Sequence, residues 1–232
     1  MEAMERVNSP EQHYYAADDR IQFHLNDVED VPSTTYGVTA NSLLSLMNVS
    51  HVLSLRSLIG DMLQLVVVNM KIFTTNTGDL VSTGDAYQTL FDFCQWQNMT
   101  NPIAEADPRH HDIATLLSGR DIYGYHGNGT KGIALIGRAC TREMQGLLVE
   151  FLNLDAIYAT AHGIGRSLGM RQDGHHGNTC PEEGFLMCYH MQDNMETLGW
   201  SECSKSYLLN FLNSTVTCFK DVPGVNLIPV TN

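Results

Sequence analysis

One stretch, Ala159–Asp173 (ATAHGIGRSLGMRQD), carries residue types at a spacing that bears on metal chemistry. Two imidazoles four residues apart on a helix share one face and can grip a single zinc ion. A glutamate beside the first histidine then reaches the water that the metal activates. A glycine ends the helix and lets the chain turn back with a third imidazole and an acid, giving the pattern HExxHxxGxxHD. The stretch falls into this register without a gap. His162 stands at the first ligand position, Gly169 at the turn and Asp173 at the closing acid. Gly163 replaces the glutamate, Arg166 the second histidine and Gln172 the third.

Those three replacements remove the chemistry while leaving its frame. A catalytic zinc site needs three protein ligands and an open position, and His162 alone does not supply them. The Arg166 guanidinium stays protonated and repels a divalent cation. Gln172 offers a neutral amide oxygen, a poor zinc ligand beside imidazole. Gly163 removes the general base and puts glycine inside a helix, at a cost of about 1 kcal/mol relative to alanine. A relocated site could use His162, Asp173 and His175 or His176, with His190 close in sequence, but it would still lack the base. The plainer reading of those histidines is polar loop residues. An arginine in such a cleft should recruit an acid, with Asp173, Glu182 and Glu183 nearest in sequence, or hold a ligand carboxylate.

The elements around this stretch can be read from periodicity. Residues 1–38 form a polar, largely irregular segment in which Ile21–Leu25 (IQFHL) alternates like a strand. Asn41 heads an apolar helical pattern through Leu53. Leu63–Phe73 is β-branched and almost wholly apolar, as a central buried strand should be, and Thr77-Gly78-Asp79 closes it. A second helix begins near Asp85, with Tyr87, Leu90, Phe91 and Cys94 at helical spacing. Ile113–Leu117, Ile133–Gly137 and Gly146–Leu152 read as strands, and a last helix carries Tyr207, Leu208, Phe211 and Leu212.

The balance of 26 acidic against 13 basic residues, net −13, speaks against nucleic-acid or anionic-membrane partners, which need a basic footprint. No apolar run reaches the roughly 20 residues of a membrane span. Six cysteines and four sequons (Asn48, Asn98, Asn128, Asn213) point to an extracellular protein. The opening MEAMERVNSPEQ has no apolar stretch of the signal-peptide kind, so a fragment of a secreted precursor is expected.

With these segments placed, the chain resembles an adamalysin (reprolysin) metalloprotease domain of the metzincin clan, closest to the ADAMTS-type and arthropod secreted branches. LLSLMNVSHVL, SLIGDMLQLVVVNMKIF, FCQWQ, HHDIATLLSGRD, GIALIGRAC and CFKDVP carry the likeness, in order, together with the central motif. The resemblance implies a disulfide-stabilised α/β domain over residues 39–223, with a tail at 224–232. Its twisted mixed sheet would set an edge strand over a central active-site helix. Peptides would pair by β-addition with that edge, here Gly132, Ile133, Ala134 and Leu135. Gly169, Asp173 and Met187 would complete the cleft, Met187 as its floor. Disulfides Cys140–Cys218 and Cys180–Cys203 carry over by position, and the remaining pair, Cys94 and Cys188, is open on distance. Zinc belongs to the family but not to this residue set. Calcium would sit near the C-terminus, with Asp107, Asp221 and the Cys218 carbonyl close to matching positions and Asp121 at a second site. His110 and His111 match a polar family position with no metal role. The reading is therefore a pseudoprotease that holds a peptide or protein without cutting it. The alternative is an active zinc endopeptidase with a non-standard site.

Overall fold

The computed structural model describes residues 17–26, 63–72, 84–124, 127, 129–152, 156–175, 177–189, 199–214 and 218–220. The helix expected from Asn41, the turn at Thr77-Gly78-Asp79, and Asn48, Asn128, His176, His190 and Asp221 lie outside these residues.

Five strands form one sheet in the order β2-β1-β3-β5-β4. They are β1 (Ala17–Asn26), β2 (Leu63–Ile72), β3 (Ile113–Ser118), β4 (Gly132–Ala134) and β5 (Gly146–Glu150). Pairings β1–β2, β1–β3 and β3–β5 are parallel, while β4 runs antiparallel to β5. The strand expected to be central, β2, instead forms one edge of the described sheet, and β1 lies between it and β3. Apolarity along a strand reports that its faces are covered, not that both of its edges are paired. That distinction explains the misplacement.

Three described helices flank the sheet: α1 (Ala86–Thr100), α2 (Ala156–Ser167) and α3 (Glu202–Leu212). Successive strand residues point to opposite faces, which sorts the core into two clusters. Ala114, Leu116 and Leu148 meet Leu90, Phe93, Cys94 and Trp96 of α1. Ile113, Leu117, Leu147 and Val149 meet Ala159 and Ile164 of α2, Met187, and Leu208 and Leu212 of α3. α2 thus packs beneath β5 and β4. Each described helix start has a local cause where a cap is present. The Asp85 carboxylate accepts from the amides of Tyr87 and Gln88, and the Ser201 hydroxyl accepts from Ser204. The face of α1 is also corrected: Tyr87 and Phe91 are about half exposed, while Phe93 and Trp96 are buried.

A buried polar network ties the end of α1 to the starts of β3 and β5. The Asn101 side chain donates to the His111 carbonyl at 2.9 Å, and Gln145 Nε2 donates to the same carbonyl at 2.7 Å. The His111 ring lies 3.3 Å from Gln97 Oε1 and 3.2 Å from the Arg109 carbonyl. Burial pushes this imidazole down to about 4, so it is neutral in the folded protein. Between pH 6.5 and about 4 the unfolded chain binds a proton that the folded chain refuses. Stability therefore rises with pH across that window and is lost as pH falls through it. His111→Asn should reduce the stability difference between pH 7 and pH 4.5 by on the order of 2 kcal/mol, read by urea unfolding at both pH values. An unchanged difference would show that His111 titrates normally.

Candidate functional site

The frame of the site follows from α2 and the turn that ends it. His162 and Arg166 are one helical turn apart and share a face. The turn after α2 is closed by glycine: Gly169 has φ +86°, and the Met170 amide bonds back to the Gly165 carbonyl at 2.9 Å. This is the left-handed C-terminal closure that favours glycine. The chain leaving β4 then caps the helix end, with Gly137 and Ala139 amides donating to the Arg166 and Ser167 carbonyls. Because of that turn, β4 covers only Gly132–Ala134, and the strand expected to run to Gly137 stops short.

Beyond the turn, Asp173 is fully buried and its Oδ1 accepts from the Ser201 hydroxyl at 2.7 Å. Its amide donates to the Met187 carbonyl at 2.8 Å. Burial raises the Asp173 pKa, and the Ser201 hydrogen bond opposes that rise. Met187 is buried beneath the helix, with its sulfur 3.0 Å from where a Gly165 Cβ would stand. The Trp200 ring would lie 2.8 Å from the same atom, so Gly165 is required by close packing. Neither Gly165 nor Trp200 was singled out in the sequence, although a second glycine inside a helix was a signal.

At the changed positions the geometry is equally definite. His162 Nδ1 lies 2.8 Å from the Leu186 carbonyl, a bond that leaves Nε2 as the acceptor of a neutral ring. Burial, aided by the nearby Arg166 charge, pushes this imidazole down to about 4. Gly163 is buried against β5, where a Cβ would stand 3.2 Å from Leu147 Cδ1. Arg166 is half-buried and its Nε donates to the Ala134 carbonyl on the edge strand at 3.2 Å. Burial lowers its pKa and Tyr87 opposes that shift. Among the described residues no carboxylate pairs with it. The acids expected to do so are elsewhere: Asp173 is held by Ser201, and Glu182 and Glu183 are exposed. Gln172 is half-buried, and its carbonyl accepts from Asn178 at 2.7 Å.

These residues do not fit a zinc ion. His162 belongs to none of the three-ligand clusters among the described residues, and a guanidinium occupies the face where a second imidazole would stand. His175 stacks on Tyr189 with ring centroids 4.7 Å apart. Among the described residues Asp173 clusters only with Cys180 and Cys203, whose sulfurs are bonded to each other.

The covalent frame follows the expected pairing. Cys140–Cys218 and Cys180–Cys203 are both bonded, with Cα separations of 6.1 and 6.2 Å. Cys94 and Cys188 are buried and in no disulfide. Cys94 lies on α1 and belongs to its core cluster, whereas Met187, the residue before Cys188, belongs to the cluster on the opposite face. Asp107 is gripped by Arg109, which donates to both carboxylate oxygens at 3.0 and 2.8 Å and holds the Asp107 pKa down to about 2. Asp121 is exposed. The acid beside the C-terminal disulfide is Asp112, which sequence reasoning passed over. It is buried, its carboxylate lies within 4.8 Å of the Cys140 and Cys218 sulfurs, and its carbonyl accepts from the Cys140 amide. Its place at the head of β3, inside HHDIATLLSGRD, was the available signal.

Residues 33–223 match the family described as "Reprolysin (M12B) family zinc metalloprotease". The chain is 32% identical over 195 residues to "A disintegrin and metalloproteinase with thrombospondin motifs 6" of Homo sapiens, covering 78% of this chain and 17% of that one. It is 30% identical over 188 residues to "A disintegrin and metalloproteinase with thrombospondin motifs 12" of Mus musculus, covering 78% and 12%. The chain thus spans less than a fifth of the length of these relatives. A solved structure titled "Structure of a chaperone-substrate complex" shares the fold at a TM-score of 0.52 and 13% identity, over 84% of this chain and 34% of that one.

Proposed function

The chain belongs to the reprolysin (M12B) family of zinc metalloproteases, and we propose that it is a non-cleaving member that holds a peptide or protein segment along β4. The observation that carries this reading is Arg166, which stands at the second imidazole position with its Nε against the edge-strand carbonyl of Ala134. A fixed cation there excludes a divalent metal. Gly163, packed on Leu147, supplies no base for hydrolysis. The short edge strand Gly132–Ala134, antiparallel to β5, keeps backbone groups to which an extended peptide can add.

Two disulfides support an extracellular setting, and Asn213, exposed at the end of α3, is the best placed of the described sequons for a glycan. Among the described residues no helix is long and apolar enough to cross a membrane. Calcium, a hard cation that takes oxygen ligands, would be held near the C-terminal disulfide by Asp112 and the Cys218 carbonyl, while Asp107 is engaged by Arg109.

Amide hydrogen exchange in the presence of a randomised peptide pool tests the binding reading. Exchange should slow at Gly132–Leu135, and mass spectrometry should recover the peptides uncut. Protection confined to other segments, or peptides returned with new termini, would overturn it.

A further inference from the structure

The changed site has an electrostatic character of its own. Arg166 carries five N–H donors, of which Nε is spent on the Ala134 carbonyl. The chain has 26 acidic residues, yet among the described residues no carboxylate pairs with this half-buried guanidinium. The neighbouring group on the same helix face, His162, is turned by its Nδ1 bond to Leu186 and offers no anion. At position 163 glycine leaves no acid on the helix to neutralise Arg166. A cation is thus fixed beneath the edge strand, its remaining donors without an anion among the described residues.

We infer that the cleft selects peptides by a carboxylate, which pairs with the Arg166 guanidinium while the adjoining backbone lies along Gly132–Ala134. This deepens the peptide-holding reading and rests on it. The planar fork of arginine matches a carboxylate in a bidentate, charge-assisted arrangement. Partial burial weakens competition from water, so the pair contributes more than an exposed one. The carboxylate comes from a peptide C-terminus or from an acidic side chain. The surrounding net charge of −13 disfavours strongly polyacidic ligands, so one carboxylate per peptide is the fitting case.

Three pools of N-acetylated hexapeptides, randomised over uncharged residues, separate the sources. One ends in a carboxylate, one in an amide, and one in an amide with a single internal glutamate. Retention on the immobilised chain is read by mass spectrometry. At least one carboxylate pool should be retained about 10-fold or more over the plain amide pool, in keeping with a hydrogen-bonded charge pair. The favoured pool identifies the source. Arg166→Gln should erase the preference, and Arg166→Lys should keep part of it, each variant checked for folding by its thermal melt. Equal retention of all three pools by the parent would overturn the inference and leave the peptide-holding reading standing. A preference that survives in a folded Arg166→Gln or Arg166→Lys variant at full strength would overturn it too. Retention of no pool would overturn both readings.

Discussion

The combined variant Gly163→Glu, Arg166→His and Gln172→His should bind one zinc per chain and cut peptides that the parent leaves intact. The two histidine changes, with His162, supply the three nitrogen ligands such a site needs. Their frame is in place: the glycine turn at Gly169, the buried Asp173 held by Ser201, and Met187 beneath the helix. The double histidine variant should therefore take up zinc with little activity, and the glutamate should add about 10²–10⁴-fold in rate. Single reversions should do little, because groups that act as one unit are not additive. One structural obstacle is local. A Cβ at Gly163 would stand 3.2 Å from Leu147 Cδ1, so that flexible side chain must shift by a few tenths of an ångström. Helix propensity works in the same direction as the reversion, since replacing a mid-helix glycine gains several tenths of a kcal/mol. A folded triple variant that binds no zinc would mean that more than the site residues has changed.

Removing the disulfides should give the largest losses of stability, in a definite order. Cys140–Cys218 closes 78 residues and Cys180–Cys203 closes 23. By loop entropy these contribute about 4–5 and about 3–4 kcal/mol. Cys140→Ala with Cys218→Ala should therefore lower the melting temperature by roughly 10 °C or more at this chain length. Cys180→Ala with Cys203→Ala should lower it less in the same calorimetric comparison. The shorter loop also holds the segment between the glycine turn and α3, so its loss should loosen Asp173 and Met187 selectively. Equal or reversed effects would show that local contacts, rather than loop closure, govern the stabilisation.

Much of this site was legible because its signals are local. Ala156–Ser167 shows helical spacing and a terminating glycine, and both appear in the structure. The all-buried strands Ile113–Ser118 and Gly146–Glu150 announced themselves as short apolar runs. What was misread depended on partners distant in sequence. The edge position of β2 is a matter of pairing, which composition does not encode. The buried face of α1 turned on Phe93 and Trp96, which meet the sheet, whereas Tyr87 and Phe91 are half exposed although their spacing is equally helical. Arg166 took a carbonyl on β4, 32 residues earlier, where nearness in sequence had pointed to acids. Asp112 went unnoticed because its burial beside Cys218 joins segments about a hundred residues apart.

The metal content of the unmodified chain tests the non-cleaving reading. The purified domain, equilibrated with excess zinc, freed of unbound metal and measured by plasma mass spectrometry, should carry far less than one zinc per chain. Stoichiometric zinc that is retained by the parent and lost in His162→Ala would contradict it.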